Sequence, residues 1–119
     1  MKQRSTLRLL EDIMYAAEKI IYYTYNLSFK DFMETDEKMD AVVRNFLIVG
    51  EAASRISKDF KIEYPLIPWK QVISFRNCLV HEYYKVDYEK VWSIKEASLP
   101  QLVEAVEQIV DYLYSRPDE

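Results

Sequence analysis

The chain has 119 residues, half of them hydrophobic and 30% charged, which suits one domain, residues 1–119, with its own core. One glycine and four prolines leave little room for hairpins or phosphate-binding loops, so the composition favours an all-α fold. The formal net charge of −4 excludes a general attraction to nucleic acid, and any RNA contact must come from a local basic patch.

Several other function classes are excluded by what the sequence lacks. No apolar run approaches the roughly 20 residues needed to cross a bilayer, and residues 1–5 lack the apolar start of a signal peptide. The lone cysteine, Cys78, excludes an internal disulfide and a cysteine-based zinc site, and is expected to be a small core residue. One histidine and no cysteine cluster are poor ligands for a transition metal, although carboxylate sites for magnesium stay open. We expect no cofactor. We expect a cytoplasmic protein with no membrane contact.

The first third of the chain carries two helix signals. Apolar residues at alternating three- and four-residue steps predict a helix over about residues 6–25. Its packing seam would be formed by Leu10, Ile13, Ala17 and Ile20. Residues 28–31, with the sequence SFKD, resemble a capping box with Asp in place of Glu and predict one short helical turn.

A second long helix is predicted from Asp36, as its N-cap, to about residue 58. Its core face would consist of Met39, Val42, Val43, Phe46, Gly50, Ala53 and Ile56. Gly50 costs about 1 kcal/mol relative to Ala inside a helix, so its presence indicates that another backbone approaches closely there. Residues 60–67 are predicted to form a loop, because Pro65 interrupts them.

The second half of the chain predicts two more helices. Pro68 suits the first turn of a third helix, whose residues would include Trp69, Val72, Ile73, Arg76, Leu79 and Val80. A break follows over residues 83–86, and Asp87 is the predicted N-cap of a fourth helix. Its apolar stripe would be Val91, Ile94, Leu99, Leu102, Val106, Ile109 and Leu113.

Proline sets the remaining boundaries. Pro100 must kink the fourth helix or divide it after Ser98, and Arg116-Pro117 ends it. Four substantial helices with short connections predict a small antiparallel four-helix bundle with an extra short helix.

Residues 76–83 gather the one histidine with an arginine, an asparagine and a tyrosine. Asn77 and His81 are four residues apart and would be neighbours on one helix face. Arg76 and His81 would lie about 140° apart around the helix axis and flank Val80. Arginine can donate two hydrogen bonds to a phosphate at fixed geometry, and histidine can take or give a proton at neutral pH.

Structural interpretations of the same residues stay open. His81 at the C-terminal end of a helix could stabilise the helix dipole. Arg76 could pair with Glu51 or another acid. Glu51 could be a buried partner that orients Arg76 or His81, or equally a solvated carboxylate on the helix face. Asn77 could act as a cap, and Tyr83 could belong to the core. Most of the ten tyrosines are expected to anchor helix packing or a dimer interface rather than to stack on RNA bases.

This segment and several others together resemble the HepT family of the HEPN superfamily. Arg76, His81 and Tyr83 match the R-x4-6-H-x-Y pattern, in the form that begins Arg-Asn. Further similar segments follow the family's order along nearly the whole chain: IVGEAA at 48–53, IPW at 67–69, VD at 86–87, VW at 91–92 and LPQL at 99–102. The family often has Gly where this chain has Glu82, which adds a negative charge beside the motif.

The resemblance implies a metal-independent endoribonuclease that acts as a homodimer, with the motifs of both subunits lining one cleft. His81 would be the general base or acid, Arg76 would stabilise the phosphate, and Asn77 and Glu51 would support them. The substrate would be a transfer or messenger RNA. The resemblance also implies a type VII toxin–antitoxin system, in which an MntA-type minimal nucleotidyltransferase silences the toxin by transferring AMP to Tyr83.

Two other classes of function stay open. The chain could be a non-catalytic helical subunit that presents a substrate to a nucleotidyltransferase, with the motif serving only as a modification platform. It could also be a structural dimeric bundle. The negative net charge and Glu82 favour the non-catalytic subunit slightly, whereas the intact pair of Arg76 and His81 favours RNA cleavage.

Overall fold

A computed structural model describes residues 5–116, and these form helices with no strand among them. The helices are α1 (Thr6–Thr24), α2 (Phe29–Met33), α3 (Asp36–Arg55), α4 (Lys58–Glu63), α5 (Trp69–His81), α6 (Tyr88–Ala97) and α7 (Leu99–Ser115). The predicted all-α bundle is therefore confirmed. The signal-peptide argument at residues 1–4 and the role given to Pro117 fall outside the described residues.

Side-chain caps start the helices at the predicted places in two cases. The Ser28 hydroxyl accepts a hydrogen bond from the backbone N–H of Asp31 at 3.0 Å, which begins α2. The Asp87 carboxylate accepts one from the backbone N–H of Lys90 at 3.1 Å, which begins α6. Each bond satisfies an N–H group that would otherwise lack a partner at the start of a helix.

The boundaries predicted for the second long helix are wrong at both ends. Asp36 lies in the first turn of α3, and Thr35 holds the cap position without a side-chain capping bond. α3 ends at Arg55 rather than near residue 58, because Ser57 starts a new helix by accepting a hydrogen bond from the N–H of Phe60 at 3.2 Å. The loop predicted over residues 60–67 is wrong at its start, where α4 lies.

The sequence predicted that Pro100 would either kink the fourth helix or divide it after Ser98. In the structure the helix is divided at Ser98. α6 ends one residue before Ser98, and Pro100 occupies the first turn of α7. The missing N–H of proline removes no helical hydrogen bond at that position. The buried stripe of α7 consists of Leu99, Leu102, Val106, Ile109 and Val110.

α3 packs against both α1 and α5, while α7 packs on α1 and α6 on α7. Leu9 at the start of α1 shares a groove with Ala52, and Tyr23 near its end shares one with Ala41, so α1 and α3 run antiparallel. Burying each large apolar side chain in this bundle contributes about 1.5–3 kcal/mol. Within residues 5–116 there is no helix both long and apolar enough to span a membrane.

Gly50 is the place where α3 and α5 come closest. A Cβ atom built at Gly50 would overlap the Cβ of Arg76 and lie 2.7 Å from its Cγ. No other residue has a side chain small enough for this contact, which confirms the close approach predicted from the sequence. The contact fixes the position of the Arg76 side chain against α3.

Candidate functional site

The guanidinium of Arg76 is held by three side chains. Its Nη2 donates to Glu51 Oε1 at 2.7 Å and to Ser54 Oγ at 3.2 Å, and its Nη1 donates to Asn77 Oδ1 at 2.7 Å. Its Nε is buried and has no acceptor among residues 5–116. The side chain is 21% exposed, so Arg76 is fixed in place while its outer edge still reaches solvent.

Glu51 joins two arginines. Its second oxygen, Oε2, accepts a hydrogen bond from Arg55 Nε at 3.0 Å. The pairing of Glu51 with Arg76, one of the interpretations left open by the sequence, is therefore present, and the carboxylate is half-exposed, at 49%, rather than buried. The sequence analysis did not include Arg55 or Ser54 in the site. Both lie three or four residues from Glu51 on one helix, a spacing that makes them its neighbours and could have indicated them.

His81 lies apart from this network. It is the last residue of α5, is exposed, and its imidazole has no hydrogen-bond partner within residues 5–116. Asn77, one turn earlier, is exposed and accepts a hydrogen bond from Arg76 rather than acting as a cap. The structure thus brings Arg76, Asn77 and Glu51 together and leaves His81 at the surface of the same helix.

A groove of about 450 Å³ lies beside Arg76, between α1, α3 and α5. Its apolar lining is Leu9, Leu47, Ile48, Ala52 and Val80, and its charged lining is Asp12, Arg44, Glu51, Arg55 and Arg76. Val80 is 48% exposed because it faces this groove rather than the core. The charged side of the site therefore borders an open apolar surface.

Two tyrosines directly after α5 are the most accessible ones near the site. Tyr83 is 78% exposed and Tyr84 79%, with their rings nearly perpendicular at 5.8 Å. The interpretation of Tyr83 as a core residue is therefore wrong. Tyr88 differs, because partial burial, followed by the nearby acids Asp40 and Asp36, raises the pKa of its hydroxyl. The hydroxyls open to modification in this segment are those of Tyr83 and Tyr84.

Cys78 is only partly buried, so it lies at the edge of the core rather than inside it as expected. Its Sγ donates to Glu82 Oε1 at 3.5 Å and accepts from Lys90 Nζ at 3.9 Å. Across residues 5–116 no three His, Cys, Asp or Glu side chains cluster as metal ligands.

An all-α bundle that presents an arginine, a histidine and a tyrosine around the end of one helix has the architecture of the HEPN class. The family model "Ribonuclease HepT-like" matches residues 13–109. The chain therefore belongs to the HepT-like ribonuclease family.

Two curated relatives match over almost their whole length. A protein of Methanocaldococcus jannaschii named "Putative RNase MJ1380" is 33% identical over 107 residues, which are 90% of this chain and 98% of the relative. A protein of Thermococcus cleftensis named "Probable ribonuclease HepT" is 37% identical over 100 residues, which are 84% of this chain and 91% of the relative. No solved structure matches the chain.

Proposed function

We propose that this protein is an endoribonuclease that cleaves RNA without a metal ion. The observation that carries the proposal is the placement of Arg76 and His81 on one helix, with the guanidinium fixed at the edge of a groove and the imidazole exposed. Family membership and the names of the relatives support the same activity. The activity would take place in the cytoplasm, where RNA is available.

The reaction would use the ribose 2′-OH next to the cleaved bond as its nucleophile. A base takes the 2′-OH proton, the 2′-oxygen attacks the phosphorus, and the departing 5′-oxygen receives a proton from an acid. The products are a 2′,3′-cyclic phosphate and a 5′-hydroxyl. His81 would exchange the proton, and Arg76 would stabilise the negative charge that grows on the phosphorane oxygens.

A homodimer would complete this site. The chain has one histidine, which cannot be base and acid in the same step, whereas a two-fold pair supplies two imidazoles. The groove supports such pairing, because exposed Ile48 and Val80 form an apolar patch. The charged side of the groove, with Arg55 and Arg76, would stay open to RNA between the two chains.

The test is cleavage of RNA by the purified protein in excess EDTA. We expect fragments with 2′,3′-cyclic phosphate ends, because the proposed groups supply both proton transfers and charge stabilisation. Mass spectrometry of the fragments identifies their ends. The rate per chain should also rise with protein concentration until light scattering reports a dimer.

Two results would contradict this proposal. One is cleavage that stops in EDTA and returns with magnesium, since the metal would then supply the nucleophile or the charge stabilisation. The other is full activity from a monomer, which would remove the need for a second imidazole.

We further propose that the activity belongs to a toxin–antitoxin pair and is silenced by transfer of AMP to Tyr83. The exposed hydroxyl of Tyr83, in the loop directly after His81, supports this role. An attached AMP would bring a phosphodiester anion and a bulky adenine next to the site. The anion would compete for Arg76 and the adenine would exclude RNA.

Changing Tyr83 to Phe is expected to leave RNA cleavage within about twofold of the native rate, because the hydroxyl takes no part in the proton transfers. Incubation with the cognate nucleotidyltransferase and ATP should then no longer reduce the cleavage rate. Intact-mass measurement should show the mass of one AMP group added to the native chain for each transfer, and no added mass on the Tyr83→Phe chain.

Tyr84→Phe is the matched control, because Tyr84 is equally exposed and packs against the Tyr83 ring. We expect this variant to be modified and silenced like the native chain. Silencing of Tyr83→Phe with a mass increase at another residue would overturn the assignment.

The alternative of a non-catalytic subunit predicts that His81 is buried in a core between two chains. His81 is exposed on this chain and has no protein partner within residues 5–116. The structure of a dimer would separate the two functions: two His81 side chains facing one groove would favour cleavage, and burial of both would favour the alternative.

A further inference from the structure

Glu51 lies between two guanidinium groups, at a position where an RNA phosphate could also bind. One carboxylate oxygen is 2.7 Å from Arg76 Nη2 and the other is 3.0 Å from Arg55 Nε. A phosphate presents two oxygens to arginine donors in much the same way as a carboxylate does. With Glu51 in place, the three side chains carry a net charge of about +1. Once Glu51 moves away, the two arginines present both of their positive charges to a ligand.

We infer that Arg55 and Arg76 form a phosphate-binding pair for RNA, and that Glu51 occupies this pair in the free protein and is displaced by the phosphate. The inference deepens the proposed function by naming Arg55 as a second phosphate ligand. It also assigns Glu51 the role of a competitor that is removed when substrate binds.

Glu51, rather than Arg76, is the group that can move. The Cβ and Cγ of Arg76 lie against Gly50, and its Nη1 is held by Asn77. Nη2 already donates to two acceptors and Nε is buried, so a phosphate that binds Nη2 beside Arg55 must take the place of the Glu51 carboxylate.

The exposure of the other two side chains makes the exchange feasible. Glu51 is 49% exposed, so its carboxylate can turn into water without losing hydration. Arg55 is 63% exposed and lines the groove, so its guanidinium stays accessible to a strand of RNA. In the absence of RNA the carboxylate keeps both guanidiniums close together, which lowers the cost of ordering them on binding.

The test measures binding of a short 2′-O-methyl oligoribonucleotide, which has no 2′-OH nucleophile and cannot be cleaved. Arg55→Ala should weaken binding about tenfold at low salt. It should also reduce the slope of log K against log salt concentration by about 0.7, the value for one lost phosphate contact on a single strand. Glu51→Gln should instead tighten binding by about 3- to 10-fold, because a negative charge near the phosphate is removed.

Arg8→Ala is the matched control. It also removes one exposed arginine that pairs with a glutamate on its own helix, but Arg8 does not line the groove. We expect its salt slope to equal that of the native protein. Arg55→Lys, which keeps the charge and loses the planar fork, should bind with intermediate affinity.

An unchanged salt slope in Arg55→Ala, or weaker binding by Glu51→Gln, would overturn the inference. Failure of the cleavage proposal would look different: the native protein would leave unmodified RNA intact while binding to the uncleavable probe still depended on Arg55. The two proposals can therefore fail separately.

Discussion

Replacing His81 by alanine is expected to lower the rate of RNA cleavage by about 10²- to 10⁴-fold, the range for loss of a general acid or base. Arg76, Asn77 and Glu51 hold their contacts without His81, so phosphate binding should persist. The affinity for the 2′-O-methyl oligoribonucleotide should stay within about twofold of native. Single-turnover rates and binding curves on the same preparation separate these two quantities.

Gln108→Ala is a suitable control, because Gln108 is an exposed residue of α7 and does not line the groove. It should cleave RNA at the native rate. Adding excess His81→Ala protein to native protein should reduce the activity, since mixed dimers hold only one imidazole. Undiminished cleavage by His81→Ala itself would remove the proposed role of His81.

The start of a helix could be predicted where a capping residue directly precedes apolar residues at helical spacing. Ser28 and Asp87 each begin a helix in the structure, and Pro100 marks a real division. The end of α3 was missed because Ile56 keeps the apolar period and is 3% exposed, although its backbone is already extended. Buried apolar residues therefore continue past the end of α3, and the capping residue Ser57 marks the end of that helix better than the apolar pattern does.

The site was predictable from local spacing only in part. The spacing of Asn77 and His81 placed them on one helix, but it could not say which acid would meet Arg76, because Glu51 lies 25 residues away in sequence. The single glycine indicated that another backbone comes close to the second long helix, but only the structure shows that this backbone is α5 at Arg76. Ser54 and Arg55 became recognisable only once the helix pairing was known.

Changing Gly50 to Ala is expected to destabilise the protein, although Ala favours a helix over Gly by about 1 kcal/mol. The new Cβ would overlap the Cβ of Arg76, which is attached to the backbone and cannot rotate away. Overpacking of this kind costs about 1–3 kcal/mol, and here it should exceed the gain because α5 itself must shift. We expect a net loss of up to about 2 kcal/mol and a lower thermal midpoint, by about 4 °C for each kcal/mol.

The same shift should damage the site more than the fold. Moving α5 away from α3 lengthens the hydrogen bonds of Arg76 to Glu51 and Ser54, which are now 2.7 and 3.2 Å. RNA cleavage should therefore fall well before the protein unfolds. Ser54→Ala is the control, because it removes one of these hydrogen bonds without adding volume, and its thermal midpoint should stay closer to native.

A double variant identifies the contact responsible. Removing the Cβ of residue 76 by Arg76→Gly takes away the atom that the new Cβ of Gly50→Ala would meet. The two changes together should then destabilise the protein by less than the sum of the single changes, a coupling that chemical denaturation can measure. Additive losses, or a Gly50→Ala protein more stable than native, would show that α3 and α5 can separate at this point without cost.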